Sequence, residues 1–128
     1  MRRWKRSFVL ENKAEIRLKG MLGFAMRAGK VIIGTELVCS AMASRTKDRA
    51  RLLLIANNAS EGTKKKLLHK AEFYGVEVLI INIDSGELGR LLGKLYAPAS
   101  VAIIDDRFAE EIANAAKDCG NPDSNSES

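Results

Sequence analysis

The sequence predicts an α/β domain in which helices cover both sides of a sheet. Four short apolar runs of strand length alternate with segments whose apolar residues recur at helical spacing. Such alternation is typical of a sheet between helix layers. A chain of 128 residues is long enough for one domain with short appendages. The sequence shows neither an internal repeat nor a second domain.

The chain begins with a basic arm, residues 1–13, which contains Arg2, Arg3, Lys5 and Arg6. Two interpretations stay open for this arm: a frayed terminus or an additional phosphate clamp. Its only apolar stretch is residues 8–10, which is too short for a signal peptide.

Helical spacing predicts the first helix over residues 14–28, with Gly29 as its C-terminal cap. A short strand follows at residues 31–33 and ends at Gly34. Thr35 is predicted to be the N-cap of a second helix that reaches about Ser44. The residues expected on the buried side of this helix are Leu37, Val38, Ala41 and Met42.

The remaining elements follow the same alternation. Residues 51–56 and 76–81 predict strands, with a helix between them that is capped by Ser60 or Thr63 and ends at Gly75. A helix from residues 84–85 to about Gly93, a strand at residues 100–104 and a final helix after residues 105–106 complete the domain at residue 117. The residues expected to face inward on the helix before Gly75 are Leu67, Leu68, Ala71 and Tyr74. Residues 118–128 are predicted to be a disordered polar tail.

The charge balance favours an anionic partner. Twenty-one Lys and Arg against 16 Asp and Glu give a net charge of +5, and basic domains of this size often bind nucleic acid. A merely soluble basic protein has the same balance. The run at residues 64–66 (three lysines) fits a solvated helix face or a phosphate contact equally well.

The sequence offers little for catalysis or metal binding. His69 is the single histidine, and no phosphate-binding loop or dinucleotide motif is present. The two cysteines, Cys39 and Cys119, form neither a disulfide framework nor a zinc motif, which fits a reducing cytoplasm. No apolar run is long enough to cross a bilayer. We therefore expect no enzyme activity, no cofactor and no membrane partner. The glycines between residues 86 and 93 are interpreted as positions of close packing or as a soft helix end.

Several separate blocks of sequence between about residues 15 and 117 stand in the order of a known family: residues 22–30, 34–35, 59–66, 72–76, 87–89 and 99–103. Through these blocks the chain resembles the kink-turn-binding ribosomal protein superfamily, which includes the archaeal seven-Ae and eukaryotic thirty-e large-subunit proteins. The resemblance is strongest to the YlxQ-like bacterial branch.

The resemblance implies a three-layer α-β-α sandwich around a four-stranded mixed sheet, and RNA binding without catalysis. It also implies that the helix starting at Gly34-Thr35 reads sheared G·A pairs in a kinked RNA, while the loop before the last strand covers a flipped-out base. A helix start suits this role because its free N–H groups meet RNA acceptors. The expected RNA-binding residues are Arg27, Lys30, Gly34, Thr35, Glu36, Leu37, Ser40, Leu95, Tyr96, Ala97, Pro98, Ala99, Ser100 and Val101.

The recognition turn departs from the family pattern. Many members have Asn-Glu directly after Gly-Thr, where this chain has Glu36-Leu37, and Ser40 replaces a basic residue one turn later. Leu37 cannot hydrogen-bond a guanine and fits a core position, and Tyr96 fits a stacking or a rim position. The expected partner is ribosomal or kink-turn RNA, with ribosome association and a monomeric state. A protein-interaction module on the same fold is the alternative.

Overall fold

A computed structural model describes residues 13–119; the basic arm and the end of the polar tail lie outside these residues. Within them the chain forms five helices and four strands, as the sequence predicted. The elements in chain order are α1 (Lys13–Arg27), β1 (Val31–Ile33), α2 (Thr35–Ala43), β2 (Leu52–Ala56), α3 (Glu61–Tyr74), β3 (Glu77–Ile81), α4 (Ser85–Leu91), β4 (Ser100–Ile103) and α5 (Asp106–Cys119).

The four strands form one mixed sheet in the order β1-β4-β2-β3. Strand β4 is antiparallel to both β1 and β2, and β3 is parallel to β2. Consequently β1, β2 and β3 all end on the side of the sheet where β4 begins. We call this side the Gly34 end, because Gly34 follows β1 there. The opposite side is the Arg51 end, because Arg51 precedes β2 there.

Two apolar clusters, one on each side of the sheet, confirm the predicted three layers. Alternate residues of a strand point to opposite faces, and β2 divides accordingly: Leu52 and Leu54 pack with α1, α4 and α5, while Leu53 and Ile55 pack with α2 and α3. All of β2 and β4 is buried. Central strands covered on both faces explain the unbroken apolar runs in the sequence.

The helix caps agree with the sequence in most places. Ser60 Oγ accepts a hydrogen bond from Thr63 N–H at 3.2 Å, so Ser60 is the N-cap of α3. Asp84 caps α4 in the same way, through Glu87 N–H at 2.8 Å. Gly75, with φ of 70°, ends α3 in the left-handed conformation.

Three local predictions need correction. Thr35 is the first residue of α2, and the N-cap is Gly34. Leu37 and Leu68 were expected to face inward, but they are 63% and 39% exposed because each lies at the margin of its helix's narrow buried stripe. Helix α5 also continues past residue 117, since Arg17 pairs with Asp118 at 2.9 Å and holds its last turn against α1.

Gly89 confirms that the glycines of residues 86–93 include a position of close packing. It is buried in α4, and a Cβ atom built there would overlap the carbonyl oxygen of Tyr96 and lie 3.3 Å from Pro98 Cδ. The Gly89 carbonyl also accepts a hydrogen bond from Lys94 N–H at 2.8 Å. The loop that follows α4 is therefore fixed against this glycine.

Replacing Gly89 with Ala should lower the free energy of unfolding by about 2 kcal/mol, within the usual range for an overpacked core. Gly62→Ala is the matched control, because Gly62 lies in α3 with open space around it and an ordinary φ. This control should be neutral or slightly stabilising. Urea unfolding curves of both variants measure the difference. Equal urea midpoints would show that the loop after α4 moves to accommodate the added methyl group without a loss of stability.

Candidate nucleic-acid interface

The start of α2 presents an uncapped helix terminus. Its N-cap, Gly34, has φ of 103° and ψ of 139°, which L side chains rarely adopt, and no side chain caps the helix. The Gly34 carbonyl accepts from Val38 N–H at 2.8 Å. The preceding N–H groups of the first turn have no partner within the helix, so they are oriented toward an external acceptor or anion.

The structure brings the two predicted recognition segments together. Ile33 pairs with Val101 in the β1–β4 ladder, and Gly34 N–H donates a hydrogen bond to the Ser100 carbonyl at 3.2 Å. On the other side, Ala56 N–H donates to the Ala99 carbonyl at 2.9 Å. The start of α2 and the loop before β4 are thus adjacent although about sixty residues separate them in the chain.

Three apolar side chains near this junction face solvent. Leu95 is fully exposed, Tyr96 is 55% exposed and Leu37 is 63% exposed. Ala97 is exposed as well. Folding gains little from exposed apolar area, so an exposed set on two adjacent segments marks a surface for a partner.

Most of the rest of the predicted loop lies inside the protein. Pro98 is buried, Ser100 and Val101 have no exposed surface, and Ala99 is half-buried. Burial makes Pro98, Ser100 and Val101 the support of the loop, and their contact with RNA stays a prediction. The Ser100 hydroxyl is buried without a hydrogen-bond partner in the described chain, while its backbone carbonyl holds Gly34.

Lys30 and Arg27 do not lie beside Gly34. Lys30 precedes β1, and its carbonyl accepts from Ile104 N–H at 3.0 Å at the Arg51 end of the sheet. Arg27, in the last turn of α1, places its guanidinium carbon 5.1 Å from the centre of the Phe24 ring. Strand β1 lies between both cations and the start of α2, and their role in RNA binding stays a prediction. Glu36 and Ser40, by contrast, are exposed on α2 itself.

Further polar groups at the Gly34 end come from the segments that follow β2 and β3. Asn57 directly follows β2, and its Nδ2 donates to Asn82 Oδ1 at 3.1 Å. Asn58 Oδ1 accepts from Ser85 N–H at 2.9 Å and so ties the turn to α4. Helix α3 also begins at this end, which brings the run at residues 64–66 to the same side of the domain. Within this run, Lys64 Nζ lies 4.0 Å from Glu61 Oε2.

Features of other function classes are scarce between residues 13 and 119. No group of three or more His, Cys, Asp or Glu side chains there could hold a metal ion. None of the helices in that range is long and apolar enough to cross a membrane. Burial and the Glu15 carboxylate raise the pKa of the Cys119 thiol, which keeps it protonated and unreactive at neutral pH.

The fold and this interface define a small basic α/β domain with a helix terminus and a loop on one edge of a mixed sheet. Residues 16–113 match the Ribosomal protein L7Ae/L30e/S12e/Gadd45 family. The chain belongs to this family, which confirms the resemblance seen in the sequence.

Several relatives support the assignment. The chain is 37% identical to the RNA-binding protein YlxQ of Enterococcus faecium over 92 residues, which are 71% of this chain and 82% of that protein. It is 36% identical to YlxQ of Bacillus subtilis, over 72% and 87% of the two chains. The large ribosomal subunit protein eL30 of Sulfurisphaera tokodaii is 26% identical, over 72% of this chain and 87% of that protein.

Solved structures agree on the fold. A Bacillus halodurans protein of unknown function has a TM-score of 0.71 and 28% identity, over 79% of this chain and 97% of its own. The Giardia lamblia 15.5kD RNA binding protein has a TM-score of 0.66 at 16% identity, over 85% and 89% of the two chains.

Leu37 provides a direct test of this surface. Truncation of Leu37 to Ala should change the free energy of unfolding by less than about 0.5 kcal/mol, as for other exposed positions. Met42 lies on the buried side of the same helix and is 1% exposed. Met42→Ala should therefore lower the free energy of unfolding by about 2–5 kcal/mol. Thermal or urea unfolding separates the two variants. A loss at Leu37 as large as that at Met42 would make Leu37 a core residue.

Proposed function

We propose that this chain is an RNA-binding protein, ribosomal or ribosome-associated, that recognises kink-turn-like RNA without catalysis. The observation that carries the proposal is the uncapped start of α2 at Gly34, hydrogen-bonded to a loop that exposes Leu95 and Tyr96. Family membership and the names of the YlxQ and eL30 relatives support it. We also propose that the protein is cytoplasmic and monomeric.

The first turn of α2 would supply the base-edge contacts. Its N–H groups donate to phosphate or base acceptors, with the helix dipole favouring negative charge at this point. Glu36 is exposed and accepts hydrogen bonds from base amino groups, while the exposed Leu37 contributes only apolar contact. Recognition here would depend more on backbone N–H groups than on side-chain donors. Many other members of the family have such a donor, the Asn of their Asn-Glu pair.

The loop before β4 would hold an unstacked base. Single-stranded or splayed bases are commonly recognised by stacking on aromatic side chains. Tyr96 is exposed, with Leu95 next to it, and the loop is fixed from behind by Gly89 and Pro98. A rigid loop loses little conformational entropy when a base binds, which favours affinity.

Replacing Tyr96 with Ala should weaken kink-turn RNA binding about tenfold, because base stacking on an aromatic ring contributes roughly 1–3 kcal/mol. Tyr96→Phe should retain the affinity, since it keeps the ring. Phe73→Ala is the control, because Phe73 is 78% exposed on α3 near the opposite end of the sheet. Fluorescence titrations with a compact kink-turn RNA and a matched plain duplex, each at two salt concentrations, measure these effects.

Wild-type preference for the kinked RNA at both salt concentrations is the expected result. Equal affinity for the two RNAs, with the same steep salt dependence, would contradict kink-turn recognition and leave only a general phosphate-binding surface. Equal losses in Tyr96→Ala and Phe73→Ala would remove Tyr96 from the site.

A protein-interaction module is the alternative that one observation favours. Leu37, Leu95 and Tyr96 form an exposed apolar set, and aromatic and apolar side chains also dominate the centres of protein interfaces. Capture experiments after nuclease treatment distinguish the alternatives. A defined protein retained by the wild type and lost with Leu37→Ala, together with no RNA preference, would establish this second function.

A further inference from the structure

A second basic surface lies at the Arg51 end of the sheet, away from the proposed recognition turn. An open cleft of about 770 Å³ is formed by the segment that joins α2 to β2 and by the end of α3. Four cationic side chains line it, together with Tyr74 and Met42: Arg45, Lys47, Arg49 and Arg51. A smaller cleft of about 270 Å³ shares Lys47 and Arg51 and adds Lys30, but its lining also includes the carboxylates of Asp48, Asp105 and Asp106.

Two of the four cations of this surface, Arg49 and Arg51, are held by hydrogen bonds. Thr46 Oγ1 lies 2.9 Å from Ser44 Oγ and accepts from Asp48 N–H at 3.2 Å, which orders the loop. Arg49 donates to the Tyr74 carbonyl at 3.1 Å, and Arg51 donates to the Lys47 carbonyl at 3.4 Å. Fixed guanidinium groups lose less entropy on binding an anion than mobile ones do.

The positive charge is only partly neutralised. Arg51 lies 3.5 Å from Asp106, and Asp105 accepts the Phe108 N–H at 3.0 Å as a cap of α5. The side chains of Arg45 and Lys47 form no ion pair with any residue from 13 to 119. The Nε–H of Arg51 is buried and has no hydrogen-bond partner within that range.

We call the larger cleft the Arg51-end cleft. We propose that it is a second RNA contact, which binds backbone phosphates of an RNA segment outside the one recognised at Gly34. The inference rests on the proposed RNA-binding function. The larger cleft is lined, among residues 13–119, by four cations and by no carboxylate, which is more positive charge than a single small anion requires. Successive phosphates along a strand match such a row of cations.

The length of the sheet separates the two contacts. Strand β2 has five residues, bounded by the Arg51 N–H bond to Ile103 at one end and the Ala56 N–H bond to Ala99 at the other. At ~3.3 Å per residue this is roughly 17 Å. A compact RNA bound at Gly34 need not reach the cleft, whereas an RNA with an extension reaches both contacts.

The test uses the full chain and two RNAs: a compact kink-turn with short stems, and the same RNA with a single-stranded extension of about twelve nucleotides, long enough to span the sheet. The variant is Arg45→Gln/Lys47→Gln. The control is Arg17→Gln/Lys117→Gln, which removes the same charge from α1 and α5 on the other face. Binding is measured over a series of salt concentrations.

The extension should tighten binding by the wild type and steepen its salt slope by about 1.4, at ~0.7 per single-stranded phosphate for two contacts. The Arg45→Gln/Lys47→Gln variant should lose this increment, with roughly tenfold weaker binding of the extended RNA and unchanged binding of the compact RNA. The control should keep the increment. Amide resonances of residues 44–51 should shift only with the extended RNA.

Three outcomes would overturn the proposal: no increment in the wild type, an equal loss on both RNAs, or the same loss in the control. Saturable shifts of residues 44–51 with inorganic phosphate, without any increment from the extension, would assign the cleft to a small anion. A wild type that shows the increment but prefers no kinked RNA would refute kink-turn recognition and leave the cleft intact.

Discussion

Strand β4 is the constraint on which the interface depends. It is the only partner of β1 within the sheet and also pairs with β2, so its register fixes both neighbours. The Ser100 carbonyl at its start accepts from Gly34 N–H, and the Ala99 carbonyl accepts from Ala56 N–H. A one-residue slip of β4 would reverse the faces of its side chains, so that Val101 and Ala102 would exchange places between the two apolar clusters and disrupt the packing of both. The position of the α2 start relative to the loop is thus a consequence of core packing.

The same sheet separates the positive charge of the chain into two regions. Helix α3 starts at the Gly34 end and carries the lysines of residues 64–66 there, whereas the segment joining α2 to β2 carries Arg45, Lys47 and Arg49 at the Arg51 end. Between the two ends, β2 and β4 are wholly buried. A polyanion that meets both regions must pass along the outside of the domain. This geometry favours an extended ligand over a small one.

The sequence predicted the fold well because local signals determine most of it. Helical spacing, buried apolar runs and caps such as Ser60 and Gly75 are visible without the structure. Strand order depends on pairings between distant residues, so only family resemblance indicated the mixed sheet. Lys30 was grouped with Gly34 among the expected RNA-binding residues, but β1 is extended between the two residues and places them at opposite ends of that strand. Leu37 was assigned both to the buried side of its helix and to the RNA-binding residues, because helical spacing alone does not show where the buried side of a helix ends.

Two kinds of surface then suggest a division of roles. Exposed lysines and arginines attract phosphates at long range but do not distinguish sequences, and their effect weakens with salt. In the proposed function, the start of α2 and the loop at Tyr96 would act at short range, through fixed N–H groups and apolar contact that salt affects little. In this chain Leu37 cannot hydrogen-bond a base and Ser40 adds no charge, so the short-range part relies on backbone geometry. Gly34, whose φ of 103° suits glycine, is therefore the residue on which discrimination between RNA shapes would depend most.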